Sequence, residues 1–239
     1  MKQHIPNIVT CLNLLSGCVA TVFALHGDVF TATMFIIAGA VFDFLDGFLA
    51  RLLDARSTIG KDLDSLADDI TFGFAPAALM FSLFKQYPYV TEYGAKYVPY
   101  IAFLIAAFSA LRLAKFNNDS RQTKSFIGLP TPANALLIAG IANAPVASFM
   151  WMDWPEFATL WKCPGVGLSV LIILTGTLCY LLISEIPMFS LKEKGKIQIF
   201  FIILSAIFIL FCGFFGLALA MATYITISWI KMIINTDDV

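Results

Sequence analysis

Charge is scarce in this chain, which sets the first limit on what it can be. Only 13% of its 239 residues are Asp, Glu, Lys or Arg, whereas 59% are hydrophobic and the mean hydropathy is +0.85. A soluble domain cannot cover so much apolar surface, so the composition predicts a polytopic membrane protein in a lipid bilayer. The net charge of −1 offers no positive excess, so no nucleic acid is expected as a partner.

Histidine is also scarce, and the cysteines show no pairing pattern. The two histidines, His4 and His26, flank the first apolar run and lie far from the acidic segment described below. The five cysteines are scattered and show no CxxC or Cys/His spacing, which argues against a disulfide framework and against a zinc site. Any metal site must therefore use oxygen ligands, and a general base in the acidic segment must be a carboxylate.

Apolar runs long enough to cross a bilayer as helices recur along the whole chain. They predict an all-α, polytopic membrane helical bundle with a six-helix core at 1–186, a charged linker at 187–196 and a C-terminal transmembrane helical hairpin at 197–235. The eight predicted spans are 8–26, 29–53, 63–84, 97–116, 132–150, 166–185, 197–212 and 216–234.

The placement of Lys and Arg predicts the orientation of these spans. With the N-terminus inside, twelve of the fifteen basic residues fall on the inner side, and only Lys85, Lys96 and Lys162 fall outside. This bias predicts an even number of spans in the cell inner (cytoplasmic) membrane, with the acidic segment at the cytoplasmic face.

Acidic residues concentrate where the chain is otherwise apolar. Seven of the sixteen lie between Asp43 and Asp69. An ionised Asp near a bilayer centre costs about 2.5–3.5 kcal/mol, so this segment is expected to bind something positive. Four of the seven fall into one pattern: Asp43-x2-Asp46-Gly47-x2-Ala50-Arg51-x8-Gly60-x3-Asp64-x3-Asp68.

The spacing of these four residues predicts a shared cavity. Asp43 and Asp46 are three apart and Asp64 and Asp68 four apart, so each pair occupies one helix face. The connection between the two helices is short, so they are antiparallel neighbours whose acidic faces can meet. Hard oxygen ligands favour Mg²⁺ or Mn²⁺, and four carboxylates can bridge two ions, as in phosphoryl transfer.

The small and basic residues of the pattern suggest how a ligand approaches. Gly60 extends the Asp64/Asp68 face by one turn, and Gly47 and Ala50 allow close approach beside Asp43. Arg51 can contact a phosphate in the same cavity. Asp68, the last of the four and the deepest in its span, is the best candidate for the general base.

The other three acids of the segment, Asp54, Asp62 and Asp69, are expected outside the site. They point away from the cluster or lie beyond its reach, and we expect them to be solvated or paired with Arg56 and Lys61. The alternative for the cluster itself is a buried acid–base network between helices, which the single cation Arg51 cannot neutralise.

The eight fixed residues match the signature of the CDP-alcohol phosphotransferases at every fixed position. The resemblance implies a homodimeric membrane enzyme with a six-helix core, which transfers a phosphatidyl or related group from a CDP-linked donor to an alcohol and releases CMP. It also implies two divalent ions on the four Asp residues, with Asp68 doubling as base. Gly47, Ala50, Arg51 and Gly60 would lie in the donor site.

Further segments resemble the bacterial and archaeal members that use serine as the acceptor. These segments are 6–10 followed by Asn13, 110–117 and 126–135. The resemblance implies transfer of the phosphatidyl group from CDP-diacylglycerol to the hydroxyl of L-serine. The residues it adds are Asn7, Thr10 and Ser57 for the nucleotide and diphosphate, and Arg112 and Lys115 for the acceptor or a lipid phosphate.

Two alternatives stay open at this point. The same chemistry can serve another alcohol, such as glycerol 3-phosphate or inositol phosphate. A different class, a divalent-cation transporter, also places acids within a membrane. A transporter predicts acids spread across several helices, whereas those of this chain gather in one hairpin.

Overall fold

The fold is built almost entirely from helices. The computed structural model describes residues 4–55, 58–87, 95–118, 126–144, 164–189 and 195–236. Within these ranges eight helices follow one another: α1 His4–Leu25, α2 Val29–Leu52, α3 58–85, α4 98–118, α5 Thr131–Ala142, α6 Pro164–Ile183, α7 Lys196–Cys212 and α8 Phe215–Thr236. The described strands, β1 Phe126–Ile127 and β2 Pro187–Met188, form one short antiparallel pair. The predicted all-α class is confirmed.

Two of these helices are irregular. α3 is α-helical over Thr58–Asp68, π-helical over Asp69–Phe74 and α-helical again over Ala75–Lys85. α4 begins with a 3₁₀ turn at Val98–Phe103 and continues as Leu104–Asn118. Single π turns inside α-helices are rare and occur frequently at functional sites. The π turn of α3 comes directly after Asp68, within the predicted site.

Six of the described helices are long and apolar enough to cross a membrane, which indicates a multi-pass integral membrane protein. They are α1, α2, α3, α4, α6 and α8. α5 and α7 are apolar but shorter, at 12 and 17 residues. The predicted span 132–150 is too long for α5, which ends at Ala142 with Asn143 as its C-cap, and its remainder at 145–150 lies outside the described residues. The division into a core, a linker and a C-terminal hairpin stays a prediction.

The second half of α3 forms the centre of the bundle. Nine of the eleven residues of Ala75–Lys85 are buried, among them Leu79 and Phe84. On the periphery the pattern reverses, because Ile199 and Leu210 of α7 are 61% and 69% exposed. Large apolar side chains on the outside are expected where the surrounding solvent is lipid.

Close packing joins α3 to the first two helices. Thr71, in the π turn, lies against Gly17 of α1 and Gly39 of α2, and a Cβ atom on either glycine would overlap it. The Thr71 hydroxyl donates a hydrogen bond to the carbonyl of Asn13 at 2.9 Å. Small residues therefore let three helix backbones meet beside the acidic pattern.

α5 links the last helix to this core. An added Cβ at Gly140 of α5 would overlap Ala218 of α8, so these two helices also pack with little space between them. Just past the end of α5, the Asn143 amide donates to the Thr33 hydroxyl of α2 at 2.8 Å. α8 is thus fixed to a helix that is itself hydrogen-bonded to α2.

We expect Gly17→Ala to destabilise the bundle. Overpacking a filled contact costs about 1–3 kcal/mol, which outweighs the roughly 1 kcal/mol that Ala gains over Gly in a helix. Gly176→Ala in α6 is the matched control, because nothing lies within 4 Å of its added Cβ. Thermal unfolding in detergent should show a lower midpoint for the first variant only. Equal midpoints would mean that the contact of Thr71 with Gly17 does not constrain the fold.

Candidate active site

Three carboxylates converge where α2 meets α3. One carboxylate oxygen from each of Asp43, Asp64 and Asp68 lies within 4.8 Å of the other two. Asp43 comes from α2, whereas Asp64 and Asp68 lie one turn apart on α3. Carboxylates at this separation repel one another unless a cation lies between them. The donor set, oxygen only, suits a hard divalent ion.

Asp46 adds a fourth carboxylate beside this group. It is 6% exposed, and it lies close enough to interact electrostatically with Asp43, Asp64 and Asp68. Asp46 Oδ2 and Asp64 Oδ1 are buried without a hydrogen-bond partner in the protein. The described ion pair of this chain lies elsewhere and includes none of the four. Buried carboxylates are normally paired or bind metals, so these residues fit divalent ions better than an internal acid–base network.

Asn13 of α1 orients Asp68. Its side chain is fully buried, and Nδ2 donates to Asp68 Oδ1 at 3.2 Å. Its backbone carbonyl accepts the hydrogen bond of Thr71, so one residue contacts α3 on both sides of the start of the π turn. The sequence patterns alone predicted no role for Asn13. An amide within an apolar helix was the signal that could have revealed it.

A cavity of about 480 Å³ opens beside Asp46 and Asp64. Its volume lies in the range usual for small-molecule sites. Five residues predicted for the donor line it: Asn7, Thr10, Gly47, Ala50 and Gly60. The other lining residues are Pro6, Ala55 and Lys61 together with the two carboxylates. All of them come from α1, α2, α3 and the α2–α3 connection.

One predicted donor residue does not line the cavity, another lies outside the described residues, and the sequence patterns missed one cation. Arg51 is exposed near the end of α2 and is not among the lining residues. Ser57 lies outside the described residues. Lys61 lines the cavity instead of pairing with nearby acids, and its Nζ donates to the carbonyl of Asn117 at 3.4 Å. Its position next to Gly60 of the pattern was the available signal.

The three acids expected outside the site differ in how exposed they are. Asp54 and Asp62 are exposed, as expected. Asp69 differs from them, because it is half-buried and its Oδ1 is buried without a hydrogen-bond partner in the protein. A methyl group added at Gly73 would lie 2.8 Å from this oxygen and 2.9 Å from Ser109 Cβ of α4. The reason is the π turn, which starts at Asp69 and packs against α4, whereas the prediction assumed a regular α-helix.

The two cations predicted for the acceptor have different environments. Arg112 of α4 is 6% exposed, its Nε has no hydrogen-bond partner in the protein, and it lies within electrostatic range of Asp68. Its guanidinium carbon is 5.9 Å from the ring centroid of Phe116. Lys115 Nζ is 3.8 Å from Glu185 Oε1, in an exposed ion pair that contributes little to stability. Arg112 is therefore the better placed of the two to bind a ligand near the carboxylates.

The fold and the site together define a class: a multi-pass helical membrane protein whose carboxylate cluster lies beside a ligand-sized cavity. The family model for CDP-alcohol phosphatidyltransferase matches residues 3–161, which include all four Asp residues and Arg112. The chain belongs to the CDP-alcohol phosphatidyltransferase family.

Three relatives of this chain carry the name of the same activity. A CDP-diacylglycerol–serine O-phosphatidyltransferase of Mycobacterium leprae is 31% identical over 237 residues, which cover 95% of this chain and 70% of the relative. The protein of the same name from Mycobacterium tuberculosis is 34% identical over 78% of this chain and 61% of its own length. That of Bacillus subtilis is 37% identical over 54% of this chain and 70% of the relative. The chain thus spans only part of each of these relatives.

We expect Asp64→Asn to abolish stabilisation by Mn²⁺ without weakening the metal-free fold. The substitution removes a ligand but also relieves repulsion between carboxylates, so metal-free stability should stay equal or rise. Thermal unfolding with and without Mn²⁺ measures both quantities, since an ion that binds the folded state raises its stability.

Asp62→Asn is the control, because Asp62 is exposed on the same helix. It should keep the Mn²⁺-dependent rise of the unfolding midpoint. A metal-free midpoint that falls in Asp64→Asn, with the Mn²⁺ response unchanged, would show that Asp64 has a structural role and does not bind metal.

Proposed function

We propose that this chain is a CDP-diacylglycerol–serine O-phosphatidyltransferase that depends on Mg²⁺ or Mn²⁺. It transfers the phosphatidyl group of CDP-diacylglycerol to the hydroxyl of L-serine and releases CMP. Family membership and the activity by which its relatives are named support the proposal. The observation that carries it is the convergence of Asp43, Asp64 and Asp68 beside the cavity.

The four Asp residues of the pattern are proposed to hold two divalent ions. When bound, such ions supply positive charge that stabilises the diphosphate and the leaving CMP. The nucleotide is proposed to occupy the cavity, where Gly47 leaves space because nothing lies within 4 Å of its added Cβ. Lys61, at the wall of the cavity, is suitably placed to pair with a phosphate oxygen.

Asp68 is proposed to act as the general base. Asn13 occupies Oδ1 of this carboxylate with a hydrogen bond, which holds the side chain and leaves Oδ2 for a proton. As Asp68 takes the proton of the serine hydroxyl, the serine Oγ–phosphorus bond forms and the bond from phosphorus to the CMP oxygen breaks. CMP leaves with that electron pair. Both products then carry one phosphate each, so atoms and charge balance.

Arg112 is proposed to bind the carboxylate of serine. Its burial and its position in electrostatic range of Asp68 support this role, and a guanidinium can bind a carboxylate through two hydrogen bonds. An acceptor that lacks a carboxylate would leave this buried cation unpaired, which is a strong basis for selectivity. Lys115 is less suited because Glu185 already pairs with it.

The proposed topology places the N-terminus and the carboxylate cluster on the cytoplasmic side, where serine enters and CMP leaves. CDP-diacylglycerol then reaches the site from the inner leaflet. The bias of Lys and Arg toward one side of the predicted spans supports this orientation. The homodimer implied by the family resemblance stays a prediction.

We expect the purified protein, with Mn²⁺, CDP-diacylglycerol and labelled serine, to release CMP and form a labelled lipid. Asp68→Asn should lower this rate by about 10²–10⁴, the usual contribution of general acid–base catalysis. Asp62→Asn should keep the rate of the unmodified protein. Glycerol 3-phosphate and inositol phosphate are tested in parallel as acceptors. CMP release with one of these, and none with serine, would contradict the serine assignment and leave the family intact.

The orientation can be tested with epitopes and added protease. A C-terminal epitope should be cleaved in inside-out vesicles and protected in intact spheroplasts, because an even number of spans returns the chain to the cytoplasm. An epitope inserted between the predicted spans 63–84 and 97–116 should give the opposite result. Cleavage of the C-terminal epitope in intact spheroplasts would contradict the proposed orientation.

A further inference from the structure

Two polar groups lie buried and unpartnered where α3 contacts α4. Neither Asp69 Oδ1, at the start of the π turn, nor Ser109 Oγ has a hydrogen-bond partner in the described structure. Both lie around one point, because a Cβ added to Gly73 would be 2.8 Å from Asp69 Oδ1 and 3.4 Å from Ser109 Oγ. Ser109 is fully buried. Buried polar groups are normally hydrogen-bonded, so these two lack a partner that a ligand can supply.

Two contacts fix the register of α3 against α4. Ser109 of α4 lies against Gly73, because an added Cβ at Gly73 would be 2.9 Å from Ser109 Cβ. Eight residues further along α4, the Asn117 amide donates at 2.7 Å to the hydroxyl of Ser65, which lies eight residues before Gly73 on α3. The two helices are therefore antiparallel, and each step forward along α4 from Ser109 corresponds to one step back along α3.

This register brings Asp69 and Arg112 to nearly the same depth on facing helices. Arg112 lies three residues after Ser109, on the same buried face of α4, and Asp69 lies four residues before Gly73. The two side chains carry opposite charges, but no ion pair joins them in the part of the chain that the structure describes. Arg112 Nε, like Asp69 Oδ1, is buried without a hydrogen-bond partner. A buried anion and a buried cation therefore lie near each other, each with an unused polar atom.

We propose that Asp69, with Ser109 beside it, binds the ammonium group of the acceptor and makes the active site selective for a zwitterionic alcohol. This inference rests on the proposed function, in which Arg112 binds the carboxylate of serine. The ammonium and the carboxylate of serine are bonded to one carbon, so a site with an anion and a cation at the same depth matches both. The Cα atoms of Asp68 and Asp69 are about 3.8 Å apart, as in any trans peptide, which keeps the serine hydroxyl within reach of the base.

Asp69 is available for an organic cation because it is not one of the three residues of the carboxylate cluster. Asp68 accepts a hydrogen bond from Asn13 of α1, whereas Asp69 Oδ1 lies beside Gly73 and α4. An ammonium group has three donors, so it can contact the Asp69 carboxylate and the Ser109 hydroxyl together. Hydrogen bonds between charged groups are roughly twice as strong as neutral ones, which makes this carboxylate the main determinant of the selectivity.

The test compares serine with 3-hydroxypropionate, which is serine without its amino group, as acceptors for the full-length protein. We expect Asp69→Asn to raise the KM for serine roughly ten- to a hundredfold, the effect of losing a hydrogen bond between charged groups, and to reduce the preference for serine over 3-hydroxypropionate by a similar factor. The KM for CDP-diacylglycerol and the stabilisation by Mn²⁺ should not change. Ser109→Ala should reduce the same preference by a smaller factor. Asp62→Asn, exposed on the same helix, is the control and should keep the preference of the unmodified protein.

Each other outcome has a definite meaning. If Asp69→Asn keeps the preference for serine over 3-hydroxypropionate, Asp69 serves only the packing of α3 on α4 and the inference is wrong. Loss of the Mn²⁺-dependent rise of the unfolding midpoint would make Asp69 a metal ligand and would also contradict it. If Asp69→Asn does not fold, an unchanged preference in Ser109→Ala overturns the inference. If the unmodified protein does not use serine, the proposed function and the inference fall together, so activity with serine separates the two failures.

Discussion

The contact of Thr71 with two glycines is the constraint on which the carboxylate cluster depends. Gly17 of α1 and Gly39 of α2 each leave only enough room for the Thr71 side chain, so both helices approach the α3 backbone at its π turn. Asp68 lies three residues before Thr71, and Asp43 lies four residues after Gly39. The depth and rotation at which the three helices meet therefore set the distance between the carboxylates of α2 and those of α3.

Close packing and charge repulsion act against each other at this point. Two unit charges 4 Å apart interact by about 4 kcal/mol at the effective dielectric constant typical of protein sites. A domain is stable by only about 5–15 kcal/mol in total. Repulsion among three carboxylates within 4.8 Å of one another therefore destabilises the packing of α2 against α3 by a large share of that total. A divalent cation that relieves the repulsion also stabilises the packing of α1, α2 and α3. Metal binding and helix packing are coupled for that reason.

Properties that depend on composition and on regular spacing could be predicted from the sequence, and those that depend on irregular backbone could not. Long apolar runs gave most of the helices within about five residues, although α5 ends at Ala142 and not at the predicted 150. A regular helix period was enough to bring Asp64 and Asp68 to one face. The π turn breaks that period, so the burial of Asp69 Oδ1 could not be deduced. The bond from Asn13 to Asp68 joins residues more than fifty positions apart. Pairings of that kind follow from how helices pack, which no local pattern encodes.

The site places the residues proposed for the donor and the residue proposed for the acceptor on different helices. Every residue that lines the cavity belongs to α1, α2, α3 or the α2–α3 connection, whereas Arg112 belongs to α4. Asp68 shares the carboxylate cluster with Asp64 and also interacts electrostatically with Arg112. Displacement at phosphorus places the attacking and leaving oxygens roughly in line, on opposite sides of the reacting atom. In the proposed reaction this requires the nucleotide and the alcohol to enter from different sides of the cluster, with the base on the side of the alcohol. The proposed division of roles between α1–α3 and α4 meets that requirement.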